Sequence, residues 1–150
     1  MAWRGKFTPK NPQKYKGDIT KIVYRSRIEL TFMKYIDENP NILEYASEEF
    51  SIPYISPVDN KPHRYFPDIW LKKMKTDGTI EINVIELKHT SETGPPKTPK
   101  KRTRRYLQEV KTWGVNSAKW KAAELYCKAR GWVFLTITEK DLGIRYGKFY

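Results

Sequence analysis

Cysteine is almost missing from this 150-residue chain. Cys127 stands alone, which excludes an internal disulfide and fits a reducing compartment. Histidine is nearly as scarce. His63 and His89, with that one thiol, cannot supply an ordinary structural zinc site. No apolar run approaches the roughly 20 residues needed to span a bilayer. The start, Met1-Ala2-Trp3-Arg4-Gly5-Lys6, leads into no apolar signal core, so the expectation is a soluble intracellular protein with no membrane partner. Acids are also short: 17 Asp and Glu stand against 29 Lys and Arg, a formal charge of +12. Such a surplus favours a polyanionic partner, nucleic acid above all, over a merely soluble basic surface.

What is present is enough to fold. Hydrophobic residues make up 39% and aromatics 14%, sufficient for a workable core in one domain spanning residues 1–150. No internal repeat is visible. The chain is organised around Tyr65 to Lys88. Tyr65-Phe66-Pro67-Asp68-Ile69-Trp70-Leu71 and Ile80-Glu81-Ile82-Asn83-Val84-Ile85-Glu86-Leu87-Lys88 flank a turn at Asp77-Gly78, the pattern of a β-hairpin. Residues two apart in a strand share a face. Ile80, Ile82, Val84, Glu86 and Lys88 therefore line one side, an apolar face that ends in an acid and a lysine.

The turn decides which side chains meet. A three-residue loop Thr76-Asp77-Gly78, with Gly78 left-handed, pairs Lys75 with Thr79 and brings Asp68 opposite Glu86. A two-residue loop would shift the register by one and turn Asp68 away. Facing carboxylates repel, so the first register implies a cation between them. Magnesium is a hard cation that often takes only one or two carboxylates and keeps several waters. It can polarise a phosphodiester and acidify a water. Asp68 and Glu86 are the candidate ligands, with the Leu87 carbonyl as a third. Lys88, two residues on, can orient the water or offset charge on the phosphate. The pattern acid-any-lysine is weak alone. It recurs as Asp59-Asn60-Lys61 in a turn and Glu109-Val110-Lys111 in a helix. Only Glu86-Leu87-Lys88 ends an apolar strand behind a partner carrying Pro67-Asp68; an ordinary surface ion pair at a strand end is the plainer alternative.

Around this hairpin the chain reads in order. Residues 1–24 form a basic arm, with Arg4, Lys6, Lys10, Lys14, Lys16 and Lys21 interleaved with Trp3, Phe7 and Tyr15. Pro9, Pro12 and Gly17 argue against regular structure there. Such an arm either tracks phosphates and stacks on bases or lies on its own domain. A helix is expected from Ser26 to about Glu38, with Ser26-Arg27-Ile28-Glu29 as a capping box and Ile28, Phe32, Tyr35 and Ile36 facing inward. Glu29 could extend a metal site, hold a water or simply close the cap. One or two strands lie between Ile42 and Ile55, with Pro53 confined to an edge or bulge, and Pro57 to Pro62 forms a turn. Asp37, Glu38, Glu44, Glu48 and Glu49 read as a solvated acidic face.

After Lys88 the character changes. Residues 89–105 hold Pro95, Pro96 and Pro99, then Lys100, Lys101, Arg102, Arg104 and Arg105, an extended basic loop suited to a phosphate backbone. A helix is expected from Tyr106 to about Trp113, and a second, capped by Asn116-Ser117, to about Arg130, stopped by Gly131. Trp113, Trp120, Ala123 and Tyr126 read as packing residues and Cys127 as a small buried hydrophobe. Trp132 to Ile137 reads as a central buried strand, Thr138 as the cap of a short last helix through Leu142, and a basic, aromatic tail ends at Tyr150. Helices on both sides of a small mixed sheet make an α/β sandwich.

The order Glu29, Pro67-Asp68, Glu86-Leu87-Lys88 resembles the PD-(D/E)XK nuclease superfamily and, within it, the TnsA-like endonuclease branch. The chain is more similar still to the head-completion nucleases of T-even-type tailed phages. Gly5-Lys6, Pro9-Lys10-Asn11, Tyr24-Arg25-Ser26, Ile52-Pro53-Tyr54, Arg64-Tyr65-Phe66, Asp68-Ile69-Trp70, Trp113, Val115-Asn116, Lys119-Trp120-Lys121-Ala122-Ala123 and Arg130-Gly131 carry this likeness over nearly the whole chain. The resemblance implies a restriction-endonuclease-like core and a Mg2+-dependent endonuclease, with Mn2+ as a substitute, that hydrolyses double-stranded DNA late in capsid assembly. Asp68 and Glu86 match the metal-binding acids, Lys88 the catalytic lysine and Glu29 the helix acid. Phage head or portal-vertex proteins follow as partners, with action in the host cytoplasm during assembly or in the virion. The loop from Thr90 to Arg105 departs from the family pattern, so no contact there carries over. Two rivals stand beside this reading: a structural DNA-binding plug that seals a filled head without cutting, and a recombination nuclease, which would be a symmetric dimer.

Overall fold

A computed structural model describes residues 4–143. Its centre is a four-stranded mixed sheet whose strands are, in spatial order, β3 (Ile42–Ser47), β6 (Ile69–Met74), β7 (Ile80–Lys88) and β8 (Val133–Thr138). The first three strands run antiparallel and β8 runs parallel to β7. Two helices cover the faces, α1 (Arg27–Glu38) and α2 (Arg104–Arg130). Phe32, Met33 and Ile36 of α1 pack with Ile69, Leu71 and Ile85 on one side. Ala123 and Cys127 of α2 pack with Val84 on the other. Alternation along β7 thus splits its residues between the two cores, and Glu86 and Lys88 fall on the α2 side.

The hairpin has the three-residue closure. The Lys75 N–H donates to the Thr79 carbonyl at 2.8 Å, and Gly78 takes the left-handed backbone (φ 85°) that an L-side chain rarely adopts. From there Met74 pairs with Ile80 and each later pair keeps step to Ile69 with Ile85. One further step sets Asp68 against Glu86.

The first helix starts at the expected cap: the Ser26 hydroxyl accepts from the Glu29 N–H at 3.1 Å. Its buried stripe is Ile28, Phe32, Met33, Ile36 and Asp37. Tyr35, expected inside, is 55% exposed, because the face centres between Phe32 and Ile36 and leaves Tyr35 at its margin. Asp37 is not part of a solvated acidic face. It is 1% exposed and accepts from the Lys10 N–H at 2.9 Å and the Tyr45 hydroxyl at 2.9 Å.

That contact fastens the N-terminal segment to the domain. β1 (Gly5–Lys6) pairs antiparallel with β2 (Val23–Tyr24), and Phe7, Tyr15 and Ile22 enter the α1 core. The Lys14 ammonium donates to the carbonyls of Ile36, Asp37 and Asn39 at 2.7, 2.8 and 2.9 Å, a cation closing the negative end of α1. The described part of the arm therefore lies on its own domain, with short regular strands that the prolines did not prevent. Trp3 and the tail from Ile144 lie outside the described residues.

β4 (Ile52–Ile55) and β5 (Pro62–Tyr65) form a separate two-stranded ribbon that packs on α2, and Pro53 is tolerated there because it lies in a ribbon without inner strands. Three expectations fail further on. The second helix runs unbroken for 27 residues through Asn116-Ser117, from the Thr103 cap to the left-handed Gly131 (φ 73°). Val115, Ala118, Trp120 and Ala122 pack against the core formed with Ile52, Tyr54, Tyr65 and Val84, and burial of that face outweighs the local preference of Asn and Ser for a cap. β8 is an edge strand, not a central one. Its residues are apolar on both sides because Leu135 and Ile137 meet the α1 core and Phe134 the α2 core. After Thr138 the chain forms turns rather than a helix, with the Thr138 N–H donating to Asp141 at 2.8 Å.

Candidate active site

The site grows from the alternation of hydrogen-bonded and non-hydrogen-bonded pairs along an antiparallel ladder. The Lys75–Thr79 pair is hydrogen-bonded, so each second pair after it is too. Asp68 and Glu86 fall on a non-hydrogen-bonded position, where side chains stand closest. Leu87, next along β7, turns its N–H outward from β8 and donates to the Asp68 carboxylate at 2.7 Å. A strand residue directs its N–H and C=O to the same side, so the Leu87 carbonyl turns to the same edge of β7 as that N–H.

Both carboxyls are driven above the usual carboxylate range. For Asp68 the cause is burial first, then the charge of Glu86, with Glu29 and Glu48 adding to it and the Leu87 N–H opposing. For Glu86 it is burial, opposed by the Tyr65 hydroxyl, Lys88, Lys119 and Trp120. The Tyr65 hydroxyl donates to the Glu86 carboxylate, and burial beside that charge pushes the phenol far up. Lys88 is 6% exposed, and burial lowers its pKa while Glu86, Glu92 and Asp68 oppose that fall. Its ammonium lies 2.8 Å from the centre of the Trp120 ring.

Glu29 sits at the start of α1, where its carboxylate accepts the Arg25 N–H. Burial and the charge of Glu48 raise its pKa. It thus serves the cap and stands in electrostatic reach of Asp68. Glu48, at the end of β3, has a left-handed backbone (φ 53°) that aims its N–H at the Asp68 carbonyl, 3.3 Å away. Its carboxylate holds the Arg25 guanidinium at 2.6 Å.

The fold thus gathers Asp68, Glu86, Leu87 and Lys88, with Glu29 beside them. Lys100, Lys101, Arg102, Arg104 and Arg105 are exposed on the loop and the first turn of α2, none touching the acidic pair. The expected loop is shorter than supposed, since α2 already begins at Arg104. Tyr65, Trp120, Lys119, Glu48 and Arg25 join the site without having been singled out as site residues. Lys119 stands 5.8 Å from the Tyr65 ring and 5.9 Å from that of Tyr54. Their only sequence signal was membership of the short matching stretches, which Glu48 lacked.

Among the described residues no group of three or more His, Cys, Asp or Glu is arranged as a preformed metal cage. The residues nevertheless fit a hard divalent cation. Two buried carboxylates repel each other, Leu87 bonds one of them through its backbone N–H and turns its carbonyl to the same strand edge, and magnesium completes such a set with water.

A family model described as the TnsA-like endonuclease N-terminal region matches residues 39–139, which include Asp68, Glu86 and Lys88 but not Glu29. The head completion nuclease of Enterobacteria phage T4 is 42% identical over 146 residues, covering 95% of this chain and 95% of its own length. The mixed sheet between two helices agrees with the restriction-endonuclease-like fold of that family. On this match and this architecture, the chain belongs to the TnsA-like endonucleases.

Proposed function

We propose that this protein is a metal-dependent DNA endonuclease that acts in completing the head of a tailed phage, after the genome is packaged. The observation that carries the proposal is the pairing of Asp68 with Glu86 beside the buried ammonium of Lys88. Asp68, Glu86 and the Leu87 carbonyl would hold Mg2+, or Mn2+ in its place. A cation there supplies Lewis-acid polarisation of the scissile phosphodiester. The Leu87 N–H fixes one Asp68 oxygen and the Tyr65 hydroxyl fixes Glu86, so both ligands are oriented before substrate arrives. Lys88 places a positive charge where the phosphate gains negative charge during hydrolysis. Glu29 adds negative charge to the pair and steadies the start of α1. Exposed Lys100, Lys101, Arg102, Arg104 and Arg105 bind the duplex backbone. The relative's role in head completion supports partners in the phage head or portal vertex.

The test is cleavage of linear duplex DNA by wild type and Lys88→Ala with Mg2+, Mn2+ or chelator. Cleavage by wild type with either metal, lost with chelator and with the variant, is the expected result. An intact duplex under every condition would leave a DNA-binding head protein without catalysis.

A further inference from the structure

Lys88 is a cation among acids, yet it pairs with none of them. Asp68, Glu86 and Glu92 all attract it. Among the described residues it makes no ion pair, and its ammonium rests on the Trp120 ring, 2.8 Å from the centre. Solvent does not hold it away, since Lys88 is 6% exposed. Glu86 and Lys88 stand two apart on one face of β7, and a four-carbon stem easily spans that gap. Direct pairing would cancel the negative charge a divalent cation needs. An aromatic face competes for an ammonium without carrying charge itself.

The ring is placed to do this from the opposite layer. Trp120 belongs to α2, packed across the face of β7 that carries Glu86 and Lys88. The indole also favours the charged form of the Glu86 carboxylate. The Tyr65 hydroxyl approaches the same carboxylate. A neutral donor, the Tyr65 hydroxyl, thus takes one oxygen of Glu86, while the ring face seats the Lys88 ammonium.

We propose that Trp120 is a positioning residue that keeps Lys88 off the Asp68–Glu86 pair and so leaves both carboxylates available to a divalent cation. The inference rests on reading that pair as metal ligands. Removing the ring releases Lys88 to bond Glu86, and the cation then competes with an internal ammonium.

Mn2+ binding to the full chain without DNA, followed by loss of the free-ion EPR signal, tests this. Trp120→Phe keeps a ring face and should bind within about twofold of wild type. Trp120→Leu should bind about tenfold more weakly. Adding Lys88→Met to Trp120→Leu should restore wild-type affinity, because the competing ammonium is gone. A packing defect alone would not be rescued in this way. Circular dichroism melting checks each variant, and Trp120→Met replaces Trp120→Leu if the latter does not fold. Unchanged binding in Trp120→Leu, or weakened binding that Lys88→Met fails to restore, overturns the inference. Equal Mn2+ binding by wild type and Asp68→Asn instead overturns the metal reading of the pair, and this inference with it.

Discussion

Asp68 and Glu86 face each other one step beyond the last paired residues of the β6–β7 hairpin, and neither forms an ion pair among the described residues. Two carboxyls titrating above the ordinary range mean that protons bind the folded chain more readily than the unfolded one. Folding is therefore favoured below the ordinary carboxylate range, and the advantage is lost as pH rises through the raised values. At neutral pH in chelator, Asp68→Asn should stabilise the protein by about 1 kcal/mol, or roughly 2–4 °C in Tm. The gain should vanish near pH 4. Added Mg2+ should stabilise wild type at neutral pH and leave the variant unchanged. Melting curves with chelator and with Mg2+ at both pH values check this, and a variant that melts lower than wild type at neutral pH counts against repulsion.

Lys88 is placed to act on charge that develops during the reaction rather than on binding. Lys88→Ala should lower kcat for duplex cleavage by about 10²–10³-fold while KM changes little. Filter binding in chelator should show affinity close to wild type, since the exposed basic residues lie elsewhere. Asp68→Ala and Glu86→Ala should lose metal-dependent cleavage in the same assay and retain salt-sensitive binding. A large rise in KM for Lys88→Ala would make it a substrate anchor instead.

How much of this was legible before folding follows from range. The hairpin register was readable because Asp77-Gly78 fixes the turn and a period of two propagates it to Asp68 and Glu86. The cap at Ser26 was readable for the same local reason. Trp120 was not: it meets Lys88 only because α2 crosses the sheet, and a tryptophan in a helix reads first as packing. Glu48 was hidden by its neighbours, since Asp37, Glu38, Glu44 and Glu49 make one acidic stretch that the fold sends in different directions. Asp37 goes inward to Tyr45 and Glu48 toward Asp68. The unbroken second helix was masked by Asn116-Ser117, whose preference for a cap holds only where no packed face overrides it.

Glu29 divides between two tasks, and one substitution separates them. Glu29→Gln keeps an oxygen for the Arg25 N–H, so Tm should stay within about 2 °C of wild type. It removes a charge that bears on Asp68, so the Mg2+ concentration for half-maximal cleavage should rise a few-fold. Glu29→Ala should do the same and also cost about 1 kcal/mol of stability through the weakened cap. Identical Mg2+ dependence in wild type and Glu29→Gln would confine Glu29 to the cap.

Asp37 anchors the N-terminal segment with no link to catalysis. Asp37→Ala leaves the Lys10 N–H, the Asn11 N–H and the Tyr45 hydroxyl without their acceptor. Unmet buried donors cost about 1–3 kcal/mol each, so a loss of a few kcal/mol is expected in denaturant melts. Where the variant remains folded, its kcat should match wild type. Equal stability would mean that the segment from Gly5 to Tyr24 is held by Phe7, Tyr15 and Ile22 alone.

Arg104 and Arg105 occupy the first turn of α2, where the helix dipole is positive and the turn itself holds no acid. The Thr103 hydroxyl accepts from the Tyr106 N–H at 3.1 Å, which satisfies the backbone but not the charge. The Arg105 side chain reaches Glu109 at 3.2 Å, an exposed pair that contributes little. Two cations thus sit where they weaken the helix, an arrangement that binding to a polyanion would relieve. Replacing both with Gln should leave Tm equal or slightly higher and weaken duplex binding. Each phosphate left without its cation should reduce the slope of log affinity against log salt by about 0.9. Extending the change to Lys100, Lys101 and Arg102 should flatten the slope further without altering kcat at saturating DNA. An unchanged slope with all five neutralised would move the duplex to another basic surface, with Lys119 beside Glu86 as the first residue to try.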